Sequence, residues 1–333
     1  MINLNNPKLD FALTAVQQAA LLTEEIQEEM VSPAITKQDR SPVTVADFAA
    51  QAVVGYYLER RFPEAVLVGE ENADVLREPA GRETLEKVTE FVRRVIPGLS
   101  PDRVCEYIDR GQGEVEDSYW TLDPVDGTKG FLRGDQYAVA LARVEEGRVE
   151  VGVLGCPNLP PDQLGDLEGS GTLLAAVRGE GSWMTVLEES PADQVYKQIL
   201  VSKQADPARA RILRSFESGH TNVSQIDEFQ DALGTTSKPV RMDSQAKYAL
   251  LAAGEGEVYL RLLSADRTEY KEKVWDQAAG SVLVEEAGGM VTDLDGVALD
   301  FSWGRELSGN RGLCATNGLL HKDALQALGA IQA

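Results

Sequence analysis

Histidine is almost missing: the 333-residue chain has two, His220 and His321. It has no HExxH, no CxxC and no trio of histidines, which excludes the common zinc sites. A Ser-His-Asp mechanism would have to use one of the two histidines, and no GxSxG elbow accompanies them. Cysteine is scarce as well. Cys105, Cys156 and Cys314 are odd in number and widely spaced, which argues against a disulfide framework and for a reducing compartment. No apolar run approaches the roughly 18–20 residues needed to span a bilayer. The first residues, MINLNNPKLDF, do not read as a secretory signal, so the expected location is cytoplasmic. Basic residues are outnumbered, 32 Lys+Arg against 54 Asp+Glu, for a net charge of −22. Such a surface repels nucleic acid and anionic membrane, and neither is expected as a partner.

What is present points to chemistry built on carboxylates and hard metal ions. Length predicts one large domain or two lobes. Helical spacing of apolar residues runs from Leu9 to about Met30, and a second helix is expected to begin at Thr44. A short strand over 65–68, a helix over 83–95, a strand over 119–122 and a hairpin over 137–154 follow, with 97–118 too mixed in polarity to assign. The Pro- and Gly-rich stretch 156–171 reads as a loop. Beyond it, helices and strands alternate. The first half therefore reads α+β with antiparallel pairing and the second α/β, giving lobes at 1–155 and 156–333.

Four places concentrate acids. Asp123-Pro124-Val125-Asp126-Gly127-Thr128 sets two carboxylates three positions apart at a strand end. Proline fixes the turn, glycine permits close approach of a ligand, and a hydroxyl follows. Both carboxylates and the Val125 carbonyl suit an oxygen-seeking ion such as Mg²⁺. Read alone, the same segment is an Asp/Pro/Gly turn. Glu70 ends the preceding strand. Asp47, three residues after Thr44, has the spacing of a capping box. Asp276 stands at the start of a helix rich in small residues, with Gly288 just past its end. Five carboxylates brought together without cations repel one another; two or three divalent ions remove that conflict and create a site for phosphate.

These motifs resemble the inositol monophosphatase superfamily of Mg²⁺-dependent, lithium-sensitive phosphatases. The resemblance rests on Asp123–Thr128 together with Trp275-Asp276 and Glu285-Ala287-Gly288-Gly289. Ser41-Pro42-Val43-Thr44, Gly69-Glu70-Glu71, Thr128–Gly134, Ser244–Tyr248 and Tyr259–Leu262 look like the 3′(2′),5′-bisphosphate nucleotidases within it. The likeness spans Leu9 to Asn317.

The resemblance implies a layered α/β/α/β/α fold of the sugar-phosphatase type with the site between the lobes. It implies that Glu70, Asp123 and the Val125 carbonyl hold a first Mg²⁺. Asp123, Asp126 and Asp276 would hold a second, and Asp47 with Glu70 a third through water. Thr128, Asp47 and Glu70 would form the catalytic set, with Thr128 orienting the attacking water. Gly127, Thr128, His220, Ser244, Lys247, Arg261 and Asp276 would bind the substrate. The implied activity removes the 3′-phosphate of 3′-phosphoadenosine 5′-phosphate, with its sulfated relative as a second substrate. That activity belongs to sulfur metabolism, in a monomer or homodimer. Two other readings stay open: an inositol or sugar phosphate phosphatase with the same metals, and a non-catalytic nucleotide or metal sensor.

Overall fold

The computed structural model describes residues 2–31, 41–165, 167–188, 195–216, 223–263 and 270–332. Asn6 opens the first helix, α1 (Pro7–Met30), by accepting the N–H groups of Lys8 and Leu9, and Pro7 occupies a position that needs no N–H. Alongside runs α2 (Ser41–Arg61). Its start lies three residues before the expected Thr44, so Asp47 sits in the second turn. Three further helices follow in this half: α3 (Asp74–Arg77), α4 (Arg82–Val95) and α5 (Pro101–Asp109). The last resolves the unassigned stretch 97–118. Ser100 caps it by accepting the Arg103 N–H, and Val104, Cys105 and Ile108 form its buried stripe. With only nine residues, that stripe is too short to stand out as a period.

The first sheet takes seven strands in chain order: β1 (Leu67–Gly69), β2 (Ser118–Asp126), β3 (Ala138–Glu145), β4 (Arg148–Cys156), β5 (Thr172–Val177), β6 (Gly181–Val186) and β7 (Lys197–Ile199). β1 and β2 are parallel, and every other pair is antiparallel. Residue 155 therefore falls inside one sheet, at the end of β4. Between β2 and β3 lies a short helix, α6 (Thr128–Arg133).

The rest of the chain supplies β8 (Ile212–Arg214), α7 (Val223–Leu233), β9 (Val240–Arg241), α8 (Ala246–Ala252), β10 (Val258–Arg261) and α9 (Val274–Glu286). It ends with β11 (Met290–Thr292), β12 (Leu313–Thr316) and α10 (His321–Gln332). Its sheet has the order β11-β12-β10-β8-β9. Helices α1 and α2 cover one face of the first sheet, while α9 lies on the other face and also reaches β11 and β12. On the far side of the second sheet, α7 and α10 pack together over Ile212, Val258, Leu260 and Cys314. The layers run α/β/α/β/α, as the resemblance implies.

The helix between the sheets can lie close because small residues meet it. A Cβ on Gly152 of β4 would come within 2.8 Å of the Ala279 carbonyl, and one on Gly280 within 2.1 Å of the Tyr248 ring. Either would push α9, and Asp276 with it, out of place. Cys105, Cys156 and Cys314 are free and buried. Among the described residues no helix is long and apolar enough to cross a membrane.

Candidate active site

The acidic turn takes its shape from Pro124. Proline has no N–H for the ladder, so pairing with β3 jumps from Asp123–Ala140 to Asp126–Ala138, three residues facing two. This bulge turns the end of β2 out of the sheet. Gly127 follows with φ +100°, and α6 begins at Thr128, whose side chain is exposed. A Cβ on Gly127 would stand 2.9 Å from that of Ser244, so glycine is needed for both backbone angle and space.

Glu70 arrives from β1. Val68 pairs with Thr121 and Gly69 with Leu122, so the chain leaves β1 beside Asp123, and the Glu70 N–H donates to the Leu122 carbonyl at 3.3 Å. Gln51, one helical turn after Asp47 on α2, fixes this turn. Its amide donates to the Glu71 carbonyl at 2.6 Å and the Ile108 carbonyl at 2.7 Å, and its oxygen accepts the Glu71 N–H at 3.1 Å. Arg305 holds the other side. It donates to the carbonyls of Gly69, Gly111 and Gly113 while its guanidinium lies 4.9 Å over the Trp275 ring. One side chain thus joins the carrier of Glu70 to the helix that carries Asp276 in its first turn.

A cleft of about 420 Å³ is lined by Glu70, Asp123, Asp126, Asp276, the Val125 segment and Thr128. Loss of hydration, followed by repulsion from Glu70, Asp126, Asp276 and Asp47, pushes Asp123 well above the carboxylate range. Desolvation, then Asp126, raises Asp276 to about 8. Glu70 is reached by solvent yet crowded by protein; that crowding, with Glu71 and Asp126, raises it to about 7. Asp47 does not line the cleft, but burial and the charges of Glu71 and Glu70 raise it too. Asp126 is also raised by burial, with Lys247, Arg261 and the Gln245 N–H opposing. Oδ1 of Asp123 is buried without a hydrogen-bond partner among the described residues. Such a cluster has donor oxygens to spare and too little positive charge, the condition a hard cation relieves. The acids stand around the cleft: among the described residues, no three His, Cys, Asp or Glu side chains are gathered as a ready-made metal sphere.

Cationic and hydroxyl groups occupy the same cleft. Ser244 lies two residues ahead of α8 with φ +61°, and its Oγ accepts the Ala246 N–H at 3.1 Å. Lys247 is buried, donates to Ser215 Oγ at 3.1 Å and lies 5.2 Å over the Tyr259 ring. Burial pushes its ammonium down to about 8, against the pull of Asp126. Arg261 ends β10, and two of its donors go to Glu272 at 3.2 and 2.9 Å. Glu272 also accepts from Gln277 at 2.7 Å, and Gln277 accepts the Tyr248 hydroxyl at 2.5 Å. His220 lies outside the described residues.

Sequence reasoning brings Glu70, Asp123, Val125, Asp126, Gly127, Thr128, Ser244, Lys247, Arg261 and Asp276 to one cleft. It misses the residues that hold them. Gln245 is the chief of these: its N–H donates to Asp126 Oδ2, its side-chain amide donates to the Trp275 carbonyl, and its oxygen accepts the Gly280 N–H. It stands between the two residues singled out on either side of it. Gln51 lies one helical turn after Asp47 on α2, and Glu272 lies four positions before Asp276, ahead of α9.

A family profile described as the inositol monophosphatase family matches residues 5–333. A 3′(2′),5′-bisphosphate nucleotidase of Oryza sativa is 41% identical over 340 residues, covering 96% of this chain and 93% of the relative. One of Schizosaccharomyces pombe is 39% identical over 338 residues, covering 96% and 94%. Among solved structures, an IMPase of Thermotoga maritima superposes with a TM-score of 0.64 at 20% identity, over 98% of each chain. CysQ of Bacteroides thetaiotaomicron, described as a bacterial member of the inositol monophosphatase family, gives 0.64 at 19% identity, over 95% of this chain and 99% of that one. With the acidic turn, the Glu70 strand end and the Asp276 helix assembled in this five-layered frame, the chain belongs to the inositol monophosphatase family.

Proposed function

We propose that this chain is a Mg²⁺-dependent 3′(2′),5′-bisphosphate nucleotidase that removes the 3′-phosphate of 3′-phosphoadenosine 5′-phosphate, giving AMP and phosphate. One observation carries the reading: a single cleft is lined by acids for metal-assisted hydrolysis and by Ser244, Lys247 and Arg261 to take a second phosphate. The names of relatives near 40% identity agree.

Glu70, Asp123, the Val125 carbonyl, Asp126 and Asp276 are the groups to hold Mg²⁺, with Asp47 behind Glu70. Mg²⁺ bound there supplies the positive charge that phosphoryl transfer needs and acidifies water. Thr128, on the first turn of α6 beside the acids, orients water for in-line attack. Lys247 and Arg261 fix the far phosphate, and with it the near one, relative to Asp126 and Thr128. The Gln245 N–H keeps one oxygen of Asp126 turned from solvent, so that its carboxylate holds one orientation. The sulfated relative of the substrate has the same two ends and is accepted by the same groups.

Replacing Asp126 by Asn tests the reading. Phosphate release from the adenosine bisphosphate should fall by about 1000-fold or more, while calorimetry should still detect binding of AMP. Retention of full activity would remove Asp126 from the chemistry. Absence of turnover in the unaltered protein, with binding retained, would favour a nucleotide sensor.

A further inference from the structure

Ser215 stands at the cleft, half-buried, one residue past the end of β8. Its backbone is fixed on both sides. The Ser215 carbonyl accepts from Arg241 Nη1 at 3.2 Å, and the Phe216 N–H donates to Asp243 Oδ1 at 3.2 Å. Asp243 is itself buried and gripped by Arg133. The hydroxyl therefore projects from a rigid strand end into the space that Lys247, Ser244 and Arg261 line.

What that hydroxyl has left to give follows from what it already receives. Lys247 Nζ donates to Ser215 Oγ at 3.1 Å, which uses an acceptor lone pair and leaves the O–H hydrogen. Among the described residues it has no acceptor. Ser244 is arranged alike: its Oγ accepts the Ala246 N–H and its own hydrogen remains. Two hydroxyls that each accept one hydrogen bond and keep their donors unspent, beside a buried ammonium, form a receptor for an anion with several acceptor oxygens. An ammonium donating to a hydroxyl also strengthens the hydroxyl as a donor. A serine needed only to satisfy Lys247 would be served better by a carboxylate, but a carboxylate would cancel the charge the subsite needs.

We propose that Ser215 is a further substrate-binding and specificity-determining residue, donating its hydroxyl to the second phosphate, the one that is not removed. The inference rests on the nucleotidase reading and adds a donor to the subsite of Ser244, Lys247 and Arg261.

The test compares unaltered protein, Ser215→Ala and Ser215→Thr on two substrates, 3′-phosphoadenosine 5′-phosphate and adenosine 3′-monophosphate, which lacks the second phosphate. A hydrogen bond to a charged group predicts that Ser215→Ala raises KM for the bisphosphate by about 10-fold or more. Its kcat should stay within about twofold, and kinetics on the monophosphate should not change. Ser215→Thr keeps the hydroxyl and should restore most of the preference. AMP titrated calorimetrically into metal-free protein should show the same weakening in Ser215→Ala. An equal loss on both substrates, or an unchanged ratio between them, would assign Ser215 a structural role and overturn the inference. If the unaltered protein does not favour the bisphosphate over the monophosphate, the nucleotidase reading fails first and takes this inference with it.

Discussion

The main-chain N–H of Gln245 donates to Asp126 Oδ2 at 2.6 Å, across 119 positions of sequence. The same residue's side chain reaches the carbonyl of Trp275 at 3.0 Å and the N–H of Gly280 at 3.1 Å. One glutamine therefore sets the distance between the acid at the end of β2 and the acid at the start of α9. It also ties both to the segment that carries Ser244 and Lys247.

Gln245→Ala keeps the N–H to Asp126 and removes the rest. Two side-chain hydrogen bonds to α9 are lost and the buried side chain leaves a gap, which together cost about 2 kcal/mol of stability. Urea unfolding should show that loss. The kcat should fall as well, because the first turn of α9 is free to shift. An unchanged midpoint and unchanged kcat would mean that α9 is held by its packing alone.

Gly127→Ala probes the hinge between the two walls of the cleft. At φ +100° any side chain is strained by about 1–2 kcal/mol. The new Cβ would also stand 2.9 Å from the Cβ of Ser244, an atom fixed to backbone. Both α6 and the Ser244 turn must move apart, so turnover of the bisphosphate should drop by about 10-fold or more. Steady-state kinetics beside a thermal melt check this; full activity with normal stability would show that the turn adapts without harm.

The acids predict how metal-free protein responds to pH. Glu70 is raised to about 7 and Asp276 to about 8, so the folded protein holds protons that the unfolded chain has already released. Between about pH 4 and pH 8 the folded state binds more protons than the unfolded one, and the contribution of these groups to stability falls as pH rises. Below that window both states are protonated and the penalty vanishes. Mg²⁺ held by these groups, as proposed, would bind their ionised forms, so its stabilising effect should be small near pH 5 and grow towards pH 8. Melting temperatures measured with chelator and with Mg²⁺ at several pH values test the sign. A Mg²⁺ effect that is absent or independent of pH would count against these acids as the ligands.

The site was readable in sequence because its acids sit in short local patterns. Asp123 to Thr128 carries its own bend in Pro124 and Gly127, and Asp276 carries its helix start, so each announces its backbone. The start of α2 was misread because the helix extends three residues further back than the Thr44 cap indicates, and packing against α1 favours the longer helix. The backbone at Ser244 was not legible: it is a left-handed residue ahead of α8, three positions from Lys247 without being in the helix. Gln51, Gln245, Ser215 and Arg305 were silent because their partners are backbone atoms or side chains far away in sequence. Ordinary polar residues with long-range partners have no local signature.

The most direct test measures phosphate release with Mg²⁺ from four compounds side by side: 3′-phosphoadenosine 5′-phosphate, its sulfated relative, inositol 1-phosphate and fructose 1,6-bisphosphate. The account predicts a strong preference for the adenosine bisphosphate and loss of that activity with lithium. A preference for inositol 1-phosphate or fructose 1,6-bisphosphate would leave the acidic wall intact and contradict the phosphate subsite built on Ser244, Lys247 and Arg261.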